Sequence, residues 1–239
     1  MARNSDEYNP IHLRKKAWFP DYRPAHEVYF DTAKKYFKKE GLILHLGSGL
    51  DSHNITDKAA GVRLISLDIS EEALRKKKHY LPVCGDGARL PFKNEVFDAV
   101  MCENVFEHLT NPQSVLEECY RSLKGQGPLI FLAPNGFSYI SLVARLTPYW
   151  FHAKFRRRIS KKVEEDTYPT YYRLNTVRTI TKLSKRVGFE VERLESYVGW
   201  PSYWEFSDTL HRIMCIVHKA IERFPLLHIT IVGVLRRPY

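Results

Sequence analysis

Apolar and polar positions follow two periods along the chain, and the switches between them mark the elements. PAHEVYFDTAKKYFKKE (24–40) carries apolar residues at helical spacing (Val28, Phe30, Ala33, Phe37) and stops at Gly41. LILHL (42–46) reads as a short buried strand and VRLISLD (62–68) as a second. SEEALRKKK (70–78) is a helix capped by Ser70, and YLPVC (80–84) is a third strand. FDAVMC (97–102) is a fourth strand, and Asn111-Pro112 opens a helix through Val115, Leu116, Cys119 and Leu123 to Gly125. PLIFLAP (128–134) follows as a fifth strand. After Asn135 the rhythm breaks for about 40 residues, a candidate insertion. It resumes with a helix from Thr176 to Val187 closed by Gly188, a strand FEVERLESYV (189–198), a helix near Phe206–Phe224 and a strand LHITIVGVLRR (227–237). Strands separated by helices predict an α/β fold with a seven-stranded, mostly parallel sheet and helices on both faces.

Length and charge narrow this picture. The 239 residues suffice for one generous α/β domain with a real core, and 44% hydrophobic residues is ordinary for a globular chain. MARNSDEYNP contains no apolar leader, and no uncharged apolar stretch approaches the roughly 18 residues of a membrane span, so a cytoplasmic protein is expected. The four cysteines lie apart without CxxC spacing and read as reduced, structural residues. The net charge of +10 is uneven: 19 Lys and Arg face 18 Asp and Glu in residues 1–140, against 18 and 9 in residues 141–239. The basic surplus belongs to whatever the C-terminal part binds.

The candidate chemistry begins at LGSG (46–49). In an open parallel sheet, ligands bind beyond the carboxyl ends of the strands, and glycine in the first strand-to-helix turn lets a backbone come close. Gly47 and Gly49 sit there. Asp68 ends the second strand 19 residues past Gly49, where a carboxylate suits the two hydroxyls of a ribose; Ser70 already fills the helix-capping role.

GDGARLPFKNEVFDAVMCENVFEHL (85–109), with LILHLGSG and LISLDIS, resembles the class I S-adenosylmethionine-dependent methyltransferases over residues 42–135, close to their type 11 group. Its ubiquinone- and menaquinone-pathway and glycan- or lipid-directed members are also similar. The resemblance implies a Rossmann-like sheet and S-adenosyl-L-methionine as cofactor. It implies that Gly47 and Gly49 line the methionine and ribose part, Asp68 binds the ribose diol and Ile69 flanks the adenine. Asp86 would accept the adenine amino group with Gly87 beside it, and Glu103 and Asn104 would face the methionine. Leu90, Pro91 and Phe92 read as a packed turn. An NAD-binding domain would need a third glycine near Ser52.

Two residues depart from the family pattern. His45 stands where an acid usually helps hold the cofactor's ammonium, and Asp51 where glycine is usual. A neutral imidazole still accepts a hydrogen bond, and Asp51 is able to cap a helix. Methyl transfer is an in-line displacement that positioning and desolvation serve, with a general base only if the acceptor must lose a proton. Glu107, His108 and His152 are the candidates for an oxygen acceptor, with packing and capping as the plainer role for Glu107 and His108. Similar ubiquinone-pathway O-methyltransferases add an acid three residues before this pair to bind a divalent cation; Asn104 occupies that place, so no metal is expected.

FSYISLVARLTPYWFHAKFRRRISKK (137–162) has seven basic residues and no acid, interrupted by Tyr149, Trp150, Phe151 and Phe155. In the family the segment after the fifth strand forms the acceptor lid, so Tyr149, Trp150 and Arg156 are expected to face substrate or an anionic membrane surface. A solvated basic face explains the same charges. TYPTYYRLNT (167–176) adds Tyr168, Tyr171, Tyr172 and Arg173 as acceptor-pocket candidates. The expectation is one methyltransferase domain: N-terminal cap helices (1–41), a cofactor half (42–135), a basic and aromatic helical lid (136–175) and the C-terminal half of the sheet (176–239). It is expected to methylate a small-molecule or lipid- or glycan-linked acceptor at oxygen, since a hydroxyl fits the base candidates, at or near the cytoplasmic membrane face. Nucleic acid ranks below lipid or glycan, the oligomeric state stays open, and a non-catalytic cofactor-binding scaffold or a nucleic-acid or protein methyltransferase is the alternative.

Overall fold

The computed structural model describes residues 14–15, 17–49, 61–76, 81–146 and 168–239. The chain begins with helix α1 (Ala25–Lys34), which buries Val28, Tyr29, Phe30 and Ala33. It ends six residues before the expected stop. Glu40 takes a left-handed φ of 62° and donates its N–H to Gly61 O, which turns the chain into the sheet. Strands β1 (Leu42–Leu46) and β2 (Arg63–Asp68) follow, then helix α2 (Glu71–Lys76), β3 (Pro82–Cys84) and β4 (Ala99–Glu103). Helix α3 (Pro112–Ser122) leads to β5 (Pro128–Pro134) and α4 (Tyr139–Leu146). Helix α5 (Val177–Val187), β6 (Glu190–Tyr197), α6 (Asp208–Ile221) and β7 (Thr230–Arg236) complete the described residues.

The caps stand where side-chain chemistry puts them. Ser70 Oγ accepts from Ala73 N at 3.1 Å, and Asn111 Oδ1 from Ser114 N at 3.4 Å with Pro112 beside it. Thr176 and Thr179 exchange side-chain to backbone bonds across the first turn of α5. Gly188 ends that helix with φ 110°.

Seven strands form one sheet among the described residues, in the order β3-β2-β1-β4-β5-β7-β6. Pairings are parallel from β3 through β5, and β7 runs antiparallel between β5 and β6. Alternate residues of each strand enter two separate cores. Leu44, Leu46, Val100, Cys102 and Phe131 pack with Val115, Leu116 and Cys119 of α3 and Ile180 of α5. Ile43, Ala99, Met101, Ile130 and Val232 pack on the other face with Tyr29, Phe30 and Ala33 of α1. Burial on both faces explains why these strands read as continuous apolar runs. Strand order reverses between β1 and β4, so the carboxyl ends of β1, β2, β3 and β4 surround one switch point.

Cys102, Cys119 and Cys215 are buried and Cys84 is exposed, all as free thiols. No helix among the described residues is long and apolar enough to cross a membrane.

Candidate functional site

A cavity of about 560 Å³ opens at that switch point. Its walls come from the ends of the four strands and the turns after them: His45 in β1 with Gly47 and Gly49 beyond it, Asp68 ending β2 with Ile69, Asp86 and Gly87 after β3, and Glu103 ending β4 with Asn104. All nine cofactor candidates from the sequence therefore meet in one space.

The glycine turn is shaped by main-chain bonds. Gly47 N and Ser48 N both donate to Leu67 O, at 2.8 and 3.0 Å, which pins the loop to β2. Gly47 has φ +66°, and a Cβ there would stand 2.4 Å from Val105 Cγ2. Only glycine fits both the backbone conformation and the close approach of the β4 loop. Asp68 fixes the far side: its carboxylate accepts Gly49 N at 2.7 Å and Ser70 N at 2.9 Å. The carboxylate thus ties the glycine turn to the start of α2. Each oxygen keeps a further lone pair for a ligand hydroxyl. Asp86 Oδ1 accepts Ala88 N at 2.8 Å, the same self-bracing device on the β3 loop.

Asp68, Asp86 and Glu103 line the cavity, and among the described lining residues none is Lys or Arg. Such a wall favours a cationic ligand and disfavours a pyrophosphate. Ser48 lines the same space, and its buried Oγ has no hydrogen-bond partner among the described residues.

The other end of the cavity is built on a short 3-10 turn, Phe106–His108. Phe106 anchors it, stacking on Phe131 of β5 with ring centroids 4.7 Å apart. His108 lines the cavity, and its Nδ1 lies 2.9 Å from Pro169 O. A carbonyl only accepts, so Nδ1 carries a proton, and in the neutral ring the lone pair is on Nε2. Nε2 is 3.9 Å from Glu107 Oε1. Glu107 is not on the cavity wall. It is buried beneath, Oε2 has no hydrogen-bond partner among the described residues, and burial first, then the charge of Glu103, pushes its carboxyl up to about 8.

Residues 168–173 close over this turn. Tyr171 N and Tyr172 N donate to Glu107 O at 2.6 and 3.2 Å. Tyr168 sits edge-on to His108 with centroids 5.9 Å apart, and Tyr168, Pro169 and Tyr171 line the cavity. Tyr172 and Arg173 do not line it; Arg173 donates to Thr110 O and lies over the Tyr171 ring. His152, Tyr149, Trp150 and Arg156, like Asp51, lie outside the described residues. Ser48, Val105, Thr110 and Pro169 enter the site without having been singled out from the sequence. Ser48 had a signal in its place between the two glycines. The role of Pro169 is a main-chain one that no side-chain pattern announces.

A seven-stranded sheet of this order with an acid-lined switch-point cavity defines a Rossmann-like fold of the class I methyltransferase type. Residues 44–131 match the family model described as a methyltransferase domain, the type 11 group. An uncharacterized protein of Methanocaldococcus jannaschii is 38% identical over 133 residues, which cover 55% of this chain and 57% of that one. The ubiquinone biosynthesis O-methyltransferase of Dechloromonas aromatica is 30% identical over 150 residues, 55% of this chain and 64% of that one. The chain thus spans less than two thirds of the length of either relative. A solved S-adenosylmethionine-dependent methyltransferase from Archaeoglobus fulgidus superposes with a TM-score of 0.56 at 18% identity, covering 95% of this chain and all of that one.

Proposed function

We propose that this protein is an S-adenosylmethionine-dependent methyltransferase acting at oxygen on a small-molecule or lipid-linked acceptor. The observation that carries the reading is the cavity wall at the switch point: three carboxylates, no Lys or Arg among the described lining residues, and a glycine turn into which no Cβ fits. A sulfonium and an ammonium, both cationic, suit that wall, and Asp68, Asp86 and Glu103 would hold the ribose, the adenine and the amino acid end. The family match over residues 44–131 supports the same cofactor.

The bound cofactor supplies an electrophilic methyl group; the chain supplies position, dryness and a place for the departing proton. His108 is the base in this reading. The Pro169 carbonyl holds its tautomer, leaving Nε2 to accept a hydroxyl proton, and Tyr168 and Tyr171 crowd the same end against water. Glu107, protonated in its buried site, positions the turn and leaves the proton to His108. Quinone-pathway O-methyltransferases among the relatives favour a hydroxyl on a lipid-linked ring as acceptor. Residues 136–175 serve as the acceptor-side lid of a single domain, and the basic stretch within it brings the enzyme to a membrane face.

The test is methyl-labelled S-adenosylmethionine with a lysate of the source cells, followed by partition of the label. Transfer into the organic phase supports the lipid-linked acceptor, and label only in the aqueous or protein phase removes it. No product at all, with the cofactor bound, leaves a scaffold. His108→Gln is expected to lower kcat about a hundredfold while cofactor affinity stays unchanged. Equal turnover removes His108 as the base.

A further inference from the structure

Helix α6 is built inside out. Its buried positions are His211, Cys215, His218 and Ile221, whereas Ile213, Ile216 and Val217 are 50%, 58% and 36% exposed. At helical spacing Ile213, Ile216, Val217, Ala220 and Phe224 share one arc about 100° wide, opposite the histidines. Phe224 is 57% exposed, and Leu226 in the turn after it is 65% exposed.

The polar side is not a folding error, because distant partners satisfy it. Arg14 donates to His211 Nδ1 at 2.5 Å and pairs with Asp208. His218 Nδ1 donates to Gly199 O at 3.1 Å, and its Nε2 accepts from Tyr139 Oη at 2.9 Å. The fold needs α6 for those bonds and leaves the isoleucine stripe over. Beside the stripe run Arg212, Lys219 and Arg223, at i, i+7 and i+11. Asp208 is already paired with Arg14 and Arg212, and Glu222 with Lys219. The Tyr139 bond ties the start of α4 to α6, and α4 exposes Leu142 and Leu146 beside Arg145.

We propose that this outward face of α6 docks on an anionic lipid bilayer. The apolar arc enters the acyl boundary and Arg223 stays at the headgroups, with Arg212 and Lys219 beside it held in ion pairs to Asp208 and Glu222, the arrangement of an interfacial helix. Charge decides against a second copy as the occupant: residues 141–239 carry 18 basic against 9 acidic side chains, which repel one another across a two-fold contact and attract an anionic surface. The proposal does not depend on which acceptor the enzyme methylates.

The test is co-sedimentation of the full chain with vesicles of phosphatidylcholine alone and with about 30% phosphatidylglycerol. Binding to the anionic vesicles at least about tenfold tighter, weakened by salt, is expected. The double variant Ile213→Ser/Ile216→Ser should weaken that binding at least about tenfold with its melting temperature and cofactor affinity unchanged, and Arg223→Glu should weaken it less. Binding equal on both vesicles, or retained by the double variant, overturns the proposal. So does a dimer in solution that the double variant splits, which assigns the stripe to a second copy. A large fall in melting temperature assigns it to a cover from the chain's own residues and overturns the proposal as well.

Discussion

The strand tips around the cavity and helix α6 solve the same problem, how to hold polar groups out of water, in opposite ways. At the tips the main chain does it: Leu67 O takes two N–H groups, Asp68 takes two more, and Asp86 braces its own loop. In α6, side chains far apart in sequence do it, with Arg14 on His211 and Tyr139 on His218. The first device is stiff and local, and it leaves defined lone pairs facing a ligand. The second turns the polar face inward and releases an apolar face to the surface. A binding cradle and a docking surface thus follow from where each region finds its hydrogen-bond partners.

Substitutions separate the two regimes. Gly47→Ala should be the most damaging, costing about 3 kcal/mol in cofactor affinity or stability, since the new Cβ meets Val105 at a φ that alanine avoids. Calorimetric titration with the cofactor checks it, and partial rescue by Val105→Ala would tie the loss to that contact. Asp68→Ala removes the acceptor of two N–H groups and a ligand contact, and should cost about 1–3 kcal/mol in affinity. Unchanged affinity would mean that the cradle does not need its carboxylate.

Glu107→Gln should change the pH dependence of stability. The folded protein holds this proton up to about 8, whereas an ordinary glutamate releases it near 4.5. The stability present below 4.5 is therefore lost as pH rises toward 8, by up to about 1.4 kcal/mol per unit. The glutamine variant lacks that slope and should gain on the wild type across the window in denaturant titrations. A parallel pair of curves would place an ionised carboxylate in the site. At the other extreme, Ile213→Ser should move stability by no more than about 0.5 kcal/mol, as expected for an exposed position. A loss of 2 kcal/mol or more would show that α6 is covered and erase the contrast.

The tips were the legible part. Apolar runs such as LILHL, a glycine pair, Asp68, Asp86 and the caps at Ser70, Asn111 and Thr176 carry their structural meaning within a few residues of chain. They gathered nine candidates around one cavity. Helix α6 was legible as a helix but not in its orientation. Periodicity alone would turn Ile213, Ile216 and Val217 inward, and the bonds that prevent it join residues 197 and 79 apart. Helix α1 was overextended to 40: it ends at Lys34, and Glu40 bonds instead to Gly61 O, a main-chain partner 21 positions further on. Likewise, the tautomer of His108 rests on a carbonyl in a loop 61 residues away.

The place of β7 bears on how the protein is made. It lies between β5 and β6 but follows both in the chain. As the polypeptide emerges from the ribosome, β6 has no partner in the sheet until β7 arrives, and β5 waits with one side open. That open edge is Pro128–Pro134, six of whose seven residues are buried in the finished protein. An unpaired apolar strand is a template for other chains. The sheet therefore closes late, and nascent chains halted before Thr230 are the ones that should engage chaperones or aggregate.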